Sequence, residues 1–141
     1  MRRLGALLAV AALGCGGGQR NEDFIPPEAA ARAALEKYLA AWKRGDKSQT
    51  VPDTQPPVLV ADELRAKGRT LSEFAVLGPV PADAPWCFAV RLTLGNPHEE
   101  VRERYVVVGA DPIWVWRYED YVMITHWEHA MPADKKSAPK K

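Results

Sequence analysis

Trp86-Cys87-Phe88-Ala89-Val90-Arg91-Leu92-Thr93-Leu94, followed by Val101-Arg102-Glu103-Arg104-Tyr105-Val106-Val107-Val108 and then Ile113-Trp114-Val115-Trp116-Arg117, sets the reading of the whole chain. The three stretches are rich in β-branched and aromatic residues and alternate in polarity, the period of a strand with one buried face. Between them lie Gly95-Asn96-Pro97-His98-Glu99-Glu100 and Gly109-Ala110-Asp111-Pro112. These turn-forming connections are short enough for antiparallel hairpins. The pattern predicts strands over 86–94, 101–109 and 113–118, with an earlier one over 71–78. In the last of them Trp114, Trp116 and Tyr118 fall on one face and Ile113, Val115 and Arg117 on the other.

Working outward towards the N-terminus, the period changes. Pro26-Pro27-Glu28 opens a helix well, because proline fits a first turn and an acidic residue suits the positive end of the dipole. Ala31, Leu35, Tyr38, Leu39 and Trp42 then recur at three- and four-residue steps, and Glu28, Arg32 and Glu36 form a charged row on another face. Gly45 is the expected stop. Asp46 to Pro57 reads as a loop, and Val58 to Lys67 as a short second helix ended by Gly68. The expected fold class is α+β, a long N-terminal helix packed on a curved antiparallel sheet.

The helix Ala30-Ala31-Arg32-Ala33-Ala34-Leu35-Glu36-Lys37-Tyr38-Leu39-Ala40-Ala41-Trp42-Lys43-Arg44-Gly45-Asp46, with its aromatic, basic pair and Gly-Asp ending, resembles the opening of nuclear-transport-factor-two-like domains, which include the SnoaL-like group. Ile113-Trp114-Val115-Trp116-Arg117 resembles their closing strand. The resemblance spans about residues 28–127 and implies a cone-like sheet with a hollow, used by different members for catalysis, for ligand binding or for neither. Catalytic members commonly carry an Asp/His or Asp/Tyr pair in that hollow. Cystatin-like domains, which also lay a helix on a curved meander, are the competing fold.

The first residues carry a different message. Met1-Arg2-Arg3, an apolar stretch from Leu4 to Leu13, and Gly14 follow the order of a secretory signal. The stretch is ten residues long, against about 20 for a spanning helix. Ala12-Leu13-Gly14-Cys15 resembles the lipobox of bacterial lipoproteins, which implies cleavage before Cys15 and lipidation of its thiol. Each buried acyl methylene contributes about 0.8 kcal/mol, so two or three chains hold a protein to a membrane where one does not. Residues 1–14 are thus read as a signal peptide, 15–27 as a lipidated cysteine and glycine-led flexible tether, 28–131 as a single domain and 132–141 as a lysine-rich disordered tail. The expected location is the bacterial cell envelope, on the exported side of the membrane.

Charge excludes one class of partner. Two of the 19 basic residues lie in the signal segment, which leaves 17 facing 18 acidic ones. A nucleic-acid binder needs a basic footprint, so no nucleic acid is expected. Of the two cysteines, Cys87 is left unpaired in an apolar run and reads as a small buried hydrophobe.

Three constellations carry chemistry. Tyr38, Trp42, Trp86, Trp114 and Trp116 form either an aromatic core or the lining of an apolar ligand or partner surface. His126, Glu128 and His129 offer metal-ligand types, and the two histidines share a face if the segment is helical and oppose each other if it is extended. Arg91, Arg102, Arg104 and Arg117 could converge on an anion, or meet Glu100, Glu103 and Glu119 in a mixed-charge face. His98 sits in a turn. No set is complete as a catalytic site, and no cofactor is expected. The leading expectation is a membrane-anchored, non-catalytic module for an envelope protein or small apolar ligand; the alternatives are a periplasmic SnoaL-like enzyme and a metal-binding lipoprotein.

Overall fold

A computed structural model describes residues 25–126. The expectations for the signal segment, Cys15, Glu128, His129 and the lysine-rich tail lie outside the described residues. Helix α1 (Glu28–Lys43) buries Ala31, Ala34, Leu35, Tyr38, Leu39, Ala41 and Trp42, the stripe that its spacing defines. Its last turn closes with Gly45 N–H to Trp42 C=O at 2.9 Å and Asp46 N–H to Ala41 C=O at 3.0 Å. That paired closure needs a left-handed residue, and Gly45 has φ +87°.

The segment 58–67 departs from the expected helix. Val58–Ala61 is a strand, β1, and only Glu63–Ala66 is helical, α2. The Val58-Leu59-Val60 run favours extension. Asp62 then reverses the preference by accepting Leu64 N–H at 3.0 Å as an N-cap. Strands β2 (Thr70–Pro79), β3 (Trp86–Gly95), β4 (Glu99–Val108) and β5 (Ile113–Arg117) follow, and α3 (Tyr118–Thr125) ends the described chain.

The fold is α+β, with one five-stranded sheet in the order β1-β5-β4-β3-β2. The sheet is mixed, which corrects the expectation of a wholly antiparallel one. Strands β2 to β5 form an antiparallel meander, but β1 pairs parallel with β5, from Val58 opposite Ile113 to Ala61 opposite Trp116. Parallel pairing needs a long crossover, and here α2 and the three intervening strands provide it.

Cross-strand partners share a face, so the register sorts the side chains. Phe88, Val90, Leu92 and Leu94 of β3 and Tyr105 and Val107 of β4 point inward with Val115 of β5 and are buried against α1. Leu59, Ala61, Arg91, Arg102, Arg104, Val106, Trp114 and Trp116 fall on the opposite, outer face. The space between helix and sheet is filled: Leu35, Tyr38, Leu39, Phe88 and Tyr105 are all wholly buried.

Candidate functional site

Asp62 is the one buried charged residue among the described residues, with its side chain wholly enclosed. It lies between β1 and α2 and gathers groups from distant parts of the chain. Tyr38 of α1 donates its hydroxyl to Oδ2 at 2.8 Å and Tyr105 of β4 donates to the same oxygen at 2.6 Å, while Oδ1 takes the α2 cap. Burial raises the Asp62 carboxyl above its ordinary value, against the opposing hydrogen bonds of Tyr105, Tyr38 and Leu64 N–H and the charge of Arg117. Tyr38 and Tyr105 are pushed well above the ordinary tyrosine range by burial and then by Asp62.

Arg117, at the end of β5, has its Nε 4.0 Å from Asp62 Oδ1. Its main partner is Asp120 of α3, held bidentately at 2.9 and 3.0 Å. Glu119 lies at 3.0 Å and Glu103 at 3.9 Å, so four carboxylates surround one guanidinium. The bond to Asp120 raises Arg117 further above its ordinary value. Burial acts to raise Asp120, but Arg117 and the Glu63 N–H, at 3.0 Å, outweigh it and hold the carboxyl low. Glu103 is raised by burial, which Arg117 only partly offsets.

Beside this cluster α2, β1 and α3 enclose an open cleft of about 830 Å³. Trp116, Met123 and Ile124 give it an apolar side, and Arg65, Arg117 and Asp120 a polar one. Met123 and Ile124 are 74% and 57% exposed at its lip. Arg65 is already committed, to the Asp46 and Ser48 carbonyls at 2.8 and 2.7 Å and to the Tyr38 ring. Sequence reasoning missed Asp62 altogether. The available signal was the cap pattern before Glu63-Leu64-Arg65-Ala66, which marks a helix start and says nothing of two tyrosines far away in sequence.

The aromatic residues singled out from sequence do not meet in one pocket. Tyr38 and Trp42 stack in the core at 6.0 Å, and the Trp42 indole donates to Arg69 C=O at 2.9 Å. Trp86 packs on Phe88 at the core edge and donates to Pro26 C=O at 2.6 Å. Trp114 and Trp116 stack at 5.4 Å on the outer face, half-buried, and only Trp116 reaches the cleft. His126 caps the end of α3, with Nδ1 3.0 Å from Val122 C=O. Among the described residues no group of three His, Cys, Asp or Glu side chains is placed to hold a metal ion. His98 is exposed in the β3–β4 turn. Cys87 is buried and unpaired, and burial raises its thiol above the ordinary value.

The four arginines separate. Arg117 turns inward to the acids, with Glu103 on the same face, while Arg91, Arg102 and Arg104 stay exposed outside. No helix among the described residues is long and apolar enough to cross a membrane. No family model, curated protein or solved structure matches the chain.

Proposed function

We propose that this protein is a lipid-anchored bacterial envelope protein whose domain acts as a non-catalytic interaction or small-ligand module. The address rests on the signal-like first residues and Ala12-Leu13-Gly14-Cys15. The observation that carries the non-catalytic reading is the filled interior, in which Asp62 has both oxygens occupied by its own chain. A general base must reach the proton that it takes, and the Asp62 carboxylate, wholly enclosed and already accepting from two tyrosines and a backbone amide, has no exposed oxygen to offer a substrate. The cleft lip of Met123 and Ile124 offers apolar surface to a partner.

The enzyme reading keeps one supporting feature, since an Asp/Tyr set lies beside a cleft. It requires Asp62 to become accessible. Exchange of Asp62 for Asn should therefore leave the module's binding intact and abolish any turnover by an enzyme. The address is tested by fractionating cells that express the full chain or its Cys15→Ser form. The first should resist extraction from membranes by high salt and the second should be released; a Cys15→Ser protein that stays salt-resistant overturns the lipid anchor.

A further inference from the structure

The outer sheet face has a composition that the core does not explain. Arg91 and Arg102 are directly opposed across β3 and β4, and Arg104 is two residues further along the same face. All three are exposed. Like charges placed directly opposite destabilise a sheet, so this pairing costs the free domain something. Relief within the chain is slight. Arg91 has Glu100 at 3.9 Å, Arg104 stacks on the Tyr118 ring at 3.8 Å, and Arg102 has no acidic partner among the described residues. Glu103 and Glu119, close to these arginines in sequence, turn instead to Arg117. The face's other acid, Glu73, pairs with Lys43 at the far edge.

Next to the arginines, on the same face, come Val108 and the stacked, half-buried Trp114 and Trp116; Val106 is wholly buried there, and Tyr121 of α3 stands edge-on to Trp116 at 6.5 Å. Arginine beside tryptophan and tyrosine is the composition of a surface at the headgroup level of a bilayer, where the rings sit amphipathically and the cations meet phosphate. The chain enters the domain on the helix side of the sheet, at the end where Trp114 lies on the other face. Pro26 is held by Trp86, whose inward-facing partner Val107 is followed by Val108, opposite Trp114 on the outer face. From Cys15 to Ile25 is ten residues, which cannot span more than about 35 Å.

We propose that the outer face of the sheet, through Arg91, Arg102, Arg104, Trp114 and Trp116, seats on an anionic phospholipid surface. The inference relies on the lipid-anchor reading only to bring a bilayer within reach; the face itself is tested without any lipid on the chain. Residues 15–141 carrying Cys15→Ser are sedimented with vesicles of phosphatidylcholine alone or mixed with phosphatidylglycerol. Binding should require the anionic lipid and weaken about fivefold for each of Arg102→Ala and Arg104→Ala. Brominated lipid should quench the tryptophan fluorescence, less so in Trp114→Phe.

Several results would overturn the proposal. One is absence of binding to the mixed vesicles. Another is binding indifferent to the arginine substitutions but abolished when Lys135, Lys136, Lys140 and Lys141 become alanine, which would assign it to the tail. Displacement by inorganic phosphate at matching anion concentration would indicate a small-anion site instead. Dimerisation in sedimentation velocity that Arg102→Glu abolishes would assign the face to a second copy. Failure of the Cys15 anchor leaves these measurements unaffected. The two attachments also differ in cells, because salt strips a headgroup contact and does not strip acyl chains.

Discussion

Tyr38 of α1 and Tyr105 of β4 donate to the same oxygen, Asp62 Oδ2, at 2.8 and 2.6 Å. One carboxylate thereby ties the helix to the centre of the sheet, while its other oxygen caps α2. Two short bonds to a charged acceptor offset the cost of enclosing it, and hydrogen bonds to charged groups each contribute about 1.5–3 kcal/mol.

Removing one donor and removing the acceptor should therefore differ. Tyr38→Phe leaves Asp62 with Tyr105 and is expected to cost about 2 kcal/mol in urea unfolding. Asp62→Ala strands two buried hydroxyls and uncaps α2, so its loss should exceed that of either tyrosine by at least about 2 kcal/mol. Equal losses would mean that the shared acceptor is not the link between helix and sheet.

The same cluster sets the pH dependence. Asp62 and Glu103 are raised chiefly by burial, so between their unfolded and folded values the folded chain holds more protons and stability falls as pH rises. Asp120 and Asp46 run the other way. Arg117 and Glu63 N–H hold the first low despite its burial, and Ser48 holds the second low; their contribution is present above the ordinary value of 3.8 and is lost as pH falls through the lowered ones. The thermal midpoint should rise on acidification from neutrality towards the ordinary carboxyl range, 3.8 for Asp and 4.5 for Glu, then drop below it. An Asp62→Asn, Glu103→Gln protein should lose the rise and keep the drop. A midpoint that falls steadily from neutrality downward would contradict the assignment.

Local pattern in the sequence carried most of the framework and little of the site. The helical spacing of Leu35, Tyr38, Leu39 and Trp42 gives the face that α1 buries, and alternation in β3 to β5 separates Val115 from Trp114. What escaped is non-local. Val58 to Ala61 is too short to choose between helix and strand by period, and its partner β5 lies more than fifty residues away. Asp62 reads as one more polar residue until Tyr38 and Tyr105 are brought to it. The arginines divide between the two sheet faces only once the β4 register is fixed, and that division separates the Arg117 cluster from the exposed row.

Arg117 is expected to contribute more to stability than its exposed counterparts on the outer face. Its side chain is 11% exposed and holds Asp120 bidentately within reach of Asp62 and Glu103. Arg117→Gln would leave these enclosed carboxylates without their cation, at a cost of about 3 kcal/mol near neutrality. The loss should shrink in acid, where protonation removes the uncompensated charge. Arg102→Gln, on an exposed side chain with no ion pair among the described residues, should change stability by less than about 0.5 kcal/mol. Denaturation of both proteins at neutral and acidic pH makes the comparison, and a similar small loss for each would refute the buried-cluster account.

Gly45 isolates a backbone effect from packing. Its φ of +87° lies in the region that disfavours side chains, yet a Cβ built there meets nothing within 4 Å. Any penalty for Gly45→Ala is thus conformational, about 1 kcal/mol, with no steric addition from neighbours. Asn tolerates the left-handed region better than Ala, so Gly45→Asn should recover a good part of the loss. Because this closure fixes where the chain leaves α1 towards Asp46 and Arg65, the Ala form should also show faster amide exchange at Gly45 and Asp46. Unchanged exchange together with unchanged stability would show that the paired closure does not hold the helix end.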